Sequence, residues 1–248
     1  MSGSSFLLVM MVIPNILCGI CSAFADETAE KEDPATHQGP GIIVRSGEKI
    51  AFLGASITEF GWTHPRGYLQ LFVQSLAANG VKIVPVPAGV SGNTSRDMLA
   101  RLDRDVIRRK PDWMAVDAGR NDIWHESVPM DETMANMAAI VDKAQRAGIR
   151  VIIQTVTPIT EDLIGDFNKQ LASYNQFLRH LVGRKKCVLA DLNEAAVQIL
   201  KTKTTGENIL TTDGVHMNDR GDRVMAAGLL KALGLTNDQI ERTTPATV

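Results

Sequence analysis

The chain has 248 residues, of which 44% are hydrophobic, 22% charged and 5% aromatic. That length and composition suit a globular unit that buries enough surface to fold without disulfide or metal staples. Twenty-six Lys and Arg against 28 Asp and Glu leave a formal charge of -2, which gives neither the basic footprint of a nucleic-acid binder nor a polybasic membrane patch.

The first 25 residues carry no charged side chain. An apolar run over residues 6–13 leads to Ala23-Phe24-Ala25, the small-x-small ending that a signal peptidase reads. Residues 1–25 therefore read as a signal peptide, with Asp26 opening the mature chain, and the expected location is secreted or periplasmic. Pro14 and Asn15 cut the apolar run well short of the ~20 residues a membrane span needs. Cys18 and Cys21 leave lipid attachment open, although Leu17 and Ile20 are bulky for the position before a lipidated Cys. Cleavage leaves Cys187 as the single thiol, so no internal disulfide can form. No Cys/His cluster has metal-ligand spacing, and neither metal nor cofactor is expected. Residues 26–40, polar and punctuated by Pro and Gly, read as a flexible leader.

Five short apolar runs follow, at residues 50–53, 82–86, 113–116, 150–154 and 187–190. Hydrophobicity that is continuous rather than alternating predicts strands buried on both faces. Pro85 and Pro87 predict that the second strand lies at a sheet edge. Between the runs come helical patterns. Pro65 suits a first helical turn, Tyr68, Phe72 and Leu76 form a stripe, and Gly80 is a stop. Asn93 with Thr94-Ser95 suits the cap of a helix that turns Leu99, Leu102 and Val106 inward. Asp131 suits the cap of a third, with Met134, Met137, Val141 and Ala144 inward and Gly148 closing it. Phe167, Leu171, Tyr174, Leu178 and Leu181 make a fourth, ending at Gly183. Residues 236–248 show no apolar stripe and read as a loose tail. Strand-helix alternation predicts an α/β fold whose parallel sheet is covered on both faces. Ligands then sit outside the carboxyl ends of the strands.

The loops at those ends are unusual. Gly54-Ala55-Ser56-Ile57-Thr58 follows the first strand. Ala88-Gly89-Val90-Ser91-Gly92-Asn93-Thr94-Ser95 follows the second, and Gly119-Arg120-Asn121-Asp122 the third. Thr212-Asp213-Gly214-Val215-His216 precedes the last helical pattern. Acyl transfer needs a hydroxyl, a base to take its proton, a group that orients the base, and donors waiting where the carbonyl oxygen turns negative. Ser56 suits the nucleophile, His216 the base and Asp213 its orienter. The amides of Ser56 and Gly89 and the side chain of Asn121 suit the oxyanion hole, Gly89 because no side chain blocks its amide. Singly, these residues have plainer readings: Ser56 as a helix cap, Asp213 with Gly214 as a turn, and Asn121 as part of another turn. Asp122 reads as loop scaffolding.

Together, Gly54-Ala55-Ser56, Gly89, Gly119-x-Asn121-Asp122 and Asp213-x-x-His216 resemble the four blocks of the SGNH/GDSL hydrolase superfamily, in order. The resemblance runs from Ile50 to about Leu230. It implies a flavodoxin-like three-layer α/β/α sandwich over residues 41–235, with a five-stranded parallel sheet. It also implies metal-independent ester hydrolysis through an acyl-serine intermediate. Ala55 stands where many members carry Asp, and Arg120 where small or apolar residues are more familiar.

No long insertion separates the blocks, which argues against a deep acyl tunnel. The expected substrate is a small-molecule or polysaccharide ester with a short acyl group, acetyl first. A lysophospholipase or acyl-thioesterase is the nearest rival. A non-catalytic carbohydrate-binding protein on the same scaffold would need a degraded triad, whereas every position is filled. Thr58 stands where the elbow of a classical α/β-hydrolase needs Gly. Trp62 and Trp124, with His64 and His125, follow the Ser and Asn blocks. An indole there could stack on a sugar, or equally close a loop over the core. Arg120 could meet an anionic substrate group, or pair with Asp122 or Glu126.

Overall fold

The computed structural model describes residues 41–204 and 206–243, so the signal-peptide and leader readings lie outside the described residues. Five parallel strands, β1 (Lys49–Gly54), β2 (Val84–Gly89), β3 (Trp113–Val116), β4 (Arg150–Gln154) and β5 (Val188–Ala190), form one sheet in the order β2-β1-β3-β4-β5. The chain leaves β1 in one direction to reach β2, then returns across it to β3. The carboxyl ends of β1 and β3 thus flank the topological switch point, where open α/β sheets bind ligands.

The edge position of β2 matches its prolines. The amides of Val84 and Val90 donate to Glu48 and Gly54 of β1 and its approach, at 2.9 and 3.1 Å. Backbone direction alternates along a strand, so positions 85 and 87 turn their nitrogens away from the sheet, where proline removes no ladder bond.

Alternate strand residues feed two apolar layers. Ile50 and Phe52 meet α2 (Tyr68–Ala78) and α8 (Asp219–Ala232) through Tyr68, Phe72, Leu76, Met225 and Leu229. Ala51 and Leu53 meet α3 (Ser95–Asp105), α5 (Met130–Arg146) and α6 (Asp166–Lys185) through Met98, Leu102, Met137, Val141, Leu171 and Tyr174. Each such large side chain contributes ~1.5–3 kcal/mol by leaving water, and this burial fixes the sheet beneath the site. Cys187 is half-buried against the second layer, and burial pushes its thiol up to about 11.

Several boundaries differ from the sequence reading. The segment after β1 is two helices, α1 (Ser56–Thr63) and α2, and Pro65 falls in the turn between them. Gly67 marks that turn because a β-carbon there would strike the backbone of Gly61 at 2.5–2.7 Å. In α5 the cap position belongs to Pro129, not Asp131. In α6 Gly183 meets open space and stops nothing; the helix runs to Lys185 and is capped by Lys186, in the left-handed conformation with φ 52°. Two short helices, α4 (Arg120–Trp124) and α7 (Leu192–Leu200), have no counterpart in the expected elements.

The expected loose tail is corrected over residues 236–243, while residues 244–248 lie outside the described residues. Residues Asn237–Thr243 form α9, and Ile240 enters the first apolar layer. Thr236 and Gln239 bond reciprocally, the Thr236 amide donating to Gln239 Oε1 at 2.9 Å and the Gln239 amide to Thr236 Oγ1 at 3.3 Å. That Thr-x-x-Gln box is a helix-start signature written in the sequence. Among the described residues no helix is long and apolar enough to cross a membrane.

Candidate active site

Ser56 is the first residue of α1, directly after β1, and Ala55 holds the cap position with no side-chain bond. The Ser56 hydroxyl is therefore not spent on capping, and its amide is one of the first-turn donors without an intrahelical partner. Ser56 Oγ lies 3.1 Å from His216 Nε2, and His216 Nδ1 lies 2.7 Å from Asp213 Oδ2. The other Asp213 oxygen accepts the backbone amides of Val215 at 2.9 Å and His216 at 2.7 Å. Partial burial alone would raise this carboxyl, but the His216 ring and the two amides outweigh it and bring the pKa down to about 2. Asp213 therefore stays ionised and holds the imidazole in one orientation.

The loop carrying this pair has no helix or strand of its own. Thr212 donates to the His216 carbonyl at 2.8 Å, and Thr160 donates to the Gly214 carbonyl at 2.7 Å. Gly214 has φ +91°, a backbone state that suits glycine. The main tether is Glu161, a residue that sequence reasoning missed. Its Oε1 accepts the amides of Leu210 at 2.7 Å and Thr211 at 2.9 Å, with the Thr211 hydroxyl at 3.0 Å. Its Oε2 accepts the Ile209 amide at 2.7 Å and Lys203 Nζ at 3.2 Å. Glu161 is 9% exposed; burial raises its carboxyl, and these donors overcome that and leave it lowered.

Asn121 sits on α4 and is 7% exposed. One proton of its side-chain amide goes to the Asn93 carbonyl at 3.0 Å, and the group carries a second. Gly119 precedes it with φ +104°, where a β-carbon would collide with the ring of Tyr174. Asp122 accepts the Ser95 amide at 3.0 Å and the Thr133 hydroxyl at 3.2 Å, so it ties α3 to α4 and α5 as scaffolding. Asn93 does not cap α3; Thr94 does, in a reciprocal box with Asp97. Asn93 is instead gripped by Arg101, a second missed residue. The Arg101 guanidinium is 7% exposed and donates to Asn93 Oδ1 at 2.5 Å. It also reaches the carbonyls of Ala88 and Gly54, each at 2.9 Å, and so binds the ends of β1 and β2 to the next loop.

Beside Ser56 lies a hollow of about 10 Å³, lined by Ala55, Ile57, Asn93 and Asn121 among others. That is room for one water molecule or one methyl group. Gly89 is not among its lining residues. A β-carbon at Gly89 would collide with the backbone of Thr58 and Glu59, so this glycine lets α1 approach β2. The loop after β2 reaches the hollow through Asn93. His216 lines a second, larger cleft of about 910 Å³, whose wall also includes Phe60, His64, Thr212, Asn218 and Arg220.

Of the three expected substrate contacts, Trp62 and Trp124 pack against the core, while Arg120 is turned inward and lines the hollow beside Ser56. Trp62 is half-buried against the first apolar layer, and its carbonyl accepts Gln70 Nε2 at 2.6 Å. Trp124 is half-buried and packs on Phe167 with ring centroids 5.0 Å apart. Neither lines the cleft. Arg120 is 5% exposed and turned inward. It donates to the Pro158 carbonyl at 3.3 Å, to the Thr157 carbonyl at 2.9 Å and to the Thr157 hydroxyl, and to neither Asp122 nor Glu126. Its charge faces Asp117, whose carboxyl burial raises and Arg120 partly lowers.

A family model for GDSL-like lipases and acylhydrolases matches residues 52–224. The chain belongs to that family. It is a carboxylic-ester hydrolase of SGNH/GDSL type, and its fold is the one the resemblance implied. The acetylxylan esterase of Geobacillus stearothermophilus is 28% identical over 214 residues, covering 77% of this chain and 96% of that protein. Its crystal structure aligns with TM-score 0.71 at 28% identity over 78% of this chain and 97% of its own. Alanine variants of that esterase at a serine, and at an aspartate and a histidine three residues apart, are catalytic mutants. An uncharacterised lipoprotein of Bacillus subtilis is 25% identical over 170 residues, covering 57% of this chain and 70% of that protein.

Proposed function

We propose that this protein removes acetyl groups from a carbohydrate through a covalent acyl-serine intermediate. Its carrying observation is an asymmetry around one hydroxyl. Ser56 lines the hollow of about 10 Å³, and His216 lines the cleft of about 910 Å³. Ser56 Oγ attacks the ester carbonyl while His216 Nε2 takes its proton, and Asp213 stabilises the imidazolium. The oxygen turning negative meets the amides of Ser56 and Gly89 and the Asn121 side chain; removing one such donor costs ~3 kcal/mol in comparable sites. His216 then returns the proton to the departing alkoxide, so the alcohol must leave on the histidine side. Water repeats the sequence on the acyl-enzyme and frees acetate. On this reading the smaller space takes the acyl group and the larger one the alcohol. A long acyl chain finds no tunnel in the hollow, which counts against the lysophospholipase reading.

The acetylxylan esterase relative supports a sugar on the alcohol side, and its catalytic aspartate and histidine have the spacing of Asp213 and His216. The N-terminal pattern of residues 1–25 and the lipoprotein relative support export from the cytoplasm. The test compares wild type with Ser56→Ala on acetylated xylan and on p-nitrophenyl esters of increasing chain length. Acetate release by wild type alone, falling steeply beyond four carbons, is the expected result. Equal hydrolysis by the variant overturns the role of Ser56, and preference for chains beyond about eight carbons overturns the acetyl assignment.

A further inference from the structure

Acyl transfer leaves one group at the mouth of the site unused. Phe60 stands on α1 four residues after Ser56, lines the large cleft and is 48% exposed. Its ring centroid lies 5.4 Å from that of His216, with the planes at 55°. A phenyl ring left half in water forgoes part of the ~1.5–3 kcal/mol that full burial yields. Phe60 does so beside the base, while Trp62, two residues on, is packed away against the core.

We propose that Phe60 is the stacking platform for the sugar ring that carries the ester, so that this ring is held face-on beside His216. The inference rests on the function proposed above and adds where and how the sugar binds. A pyranose has a face of C–H groups and a rim of hydroxyls. The cleft offers a matching pair of surfaces, the phenyl ring on one wall and Thr63, His64, Asn218 and Arg220 around it. Position argues the same way. His216 must reach the oxygen that leaves, and the ring bonded to that oxygen then lies within a few ångströms of the imidazole, where Phe60 is. An acyl chain lies on the opposite side of the carbonyl, toward the hollow at Ser56.

The experiment compares wild type, Phe60→Ala and Phe60→Trp on acetylated xylo-oligosaccharides and on ethyl acetate, whose leaving group has no ring to stack. In Phe60→Ala, KM for the oligosaccharide rises, and the ratio of kcat/KM for sugar acetate to that for ethyl acetate falls about tenfold, equivalent to ~1.4 kcal/mol. Phe60→Trp restores the ratio. Equal losses on both substrates would show that the ring merely supports His216, and would overturn the platform. An unchanged ratio overturns it too. Wild type that cleaves ethyl acetate but no sugar acetate removes the carbohydrate half of the proposed function and the platform with it, whereas ethyl acetate hydrolysis surviving in Ser56→Ala fails the nucleophile instead.

Discussion

The two halves of the site are held by different physics. Ser56 and Asn121 sit at the starts of α1 and α4, each directly beyond a buried strand, so the sheet delivers them. Asp213 and His216 lie between α7 and α8 on a loop without an element of its own. Their place is set by a carboxylate borrowed from the β4–α6 loop, Glu161, which accepts three backbone amides, a hydroxyl and a lysine. The serine side thus inherits its geometry from hydrophobic burial. The histidine side depends on a few directional, charge-assisted bonds, which are stronger than neutral ones but lost together. One half is held by packing; the other is held by directional bonds, the largest group of which weakens when Glu161 is protonated.

Substitutions on the two sides should therefore fail differently. Asn121→Ala removes the proposed oxyanion donor from a well-packed wall. Its kcat should drop by about 10²–10³-fold, while thermal melting shows only a small loss; a large fall in Tm with near-normal kcat would reverse the contrast.

Glu161→Gln should show both defects. It leaves three amide donors facing a neutral group that brings its own N–H donors, at a cost of ~2–3 kcal/mol, and it frees the His216 loop. A drop in kcat of about tenfold or more follows if the base strays from Ser56. The pH dependence gives the sign. Glu161 is held below the usual glutamate range in the folded protein, so its stabilisation is complete above that range and disappears as pH falls through the folded value. The gap in Tm between wild type and Glu161→Gln should be wide at pH 7 and close toward pH 3. A gap that stays constant across that range would mean that the tether is not electrostatic.

The smallest effect is expected on the far wall of the large cleft. Asp222 accepts the Tyr68 amide at 2.9 Å, and burial, only partly opposed by that bond, pushes its carboxyl up to about 6. A raised carboxyl favours the folded state when protonated, so its benefit is present at low pH and is lost as pH rises through 6. Asp222→Asn keeps an acceptor for Tyr68 and removes the buried charge. It should leave Tm unchanged near pH 4 and raise it by a few degrees at pH 8, on the order of 1–2 kcal/mol. Destabilisation at pH 8 would show that the ionised form is instead favourably paired.

Which parts of this were legible beforehand follows the same division. The strands were readable because continuous apolar runs have few other uses, and the edge of the sheet because Pro85 and Pro87 tolerate no other place. Ser56 and the Asp213–His216 pair stood out through spacing, and three of the four loops could be placed because each follows a strand. Arg101 and Glu161 gave no such signal. Each is a charged residue in an ordinary polar stretch, and only long-range packing buries it and supplies its partners. The directions in which Trp62, Trp124 and Arg120 turn were not legible, for the converse reason. Being near the site in sequence says nothing about which way a side chain turns, and the half-turn between Phe60 and Trp62 on α1 sends one ring to the cleft and the other to the core. The α9 helix was legible in the Thr236–Gln239 box and was missed by attending to apolar periodicity alone.

Local chemistry, then, determined the alternation of strands and helices, the order of the four loops and the reaction class they suggest, because periodicity and turn geometry act over a few residues. Tertiary structure decided which side of the hydroxyl is cramped and which is open, which carboxylate steadies the imidazole's loop, and which aromatic ring meets the solvent. Those outcomes depend on groups that are brought together across more than a hundred residues, as Ser56 and His216 are with |i−j| = 160, and no local preference encodes a distance of that kind.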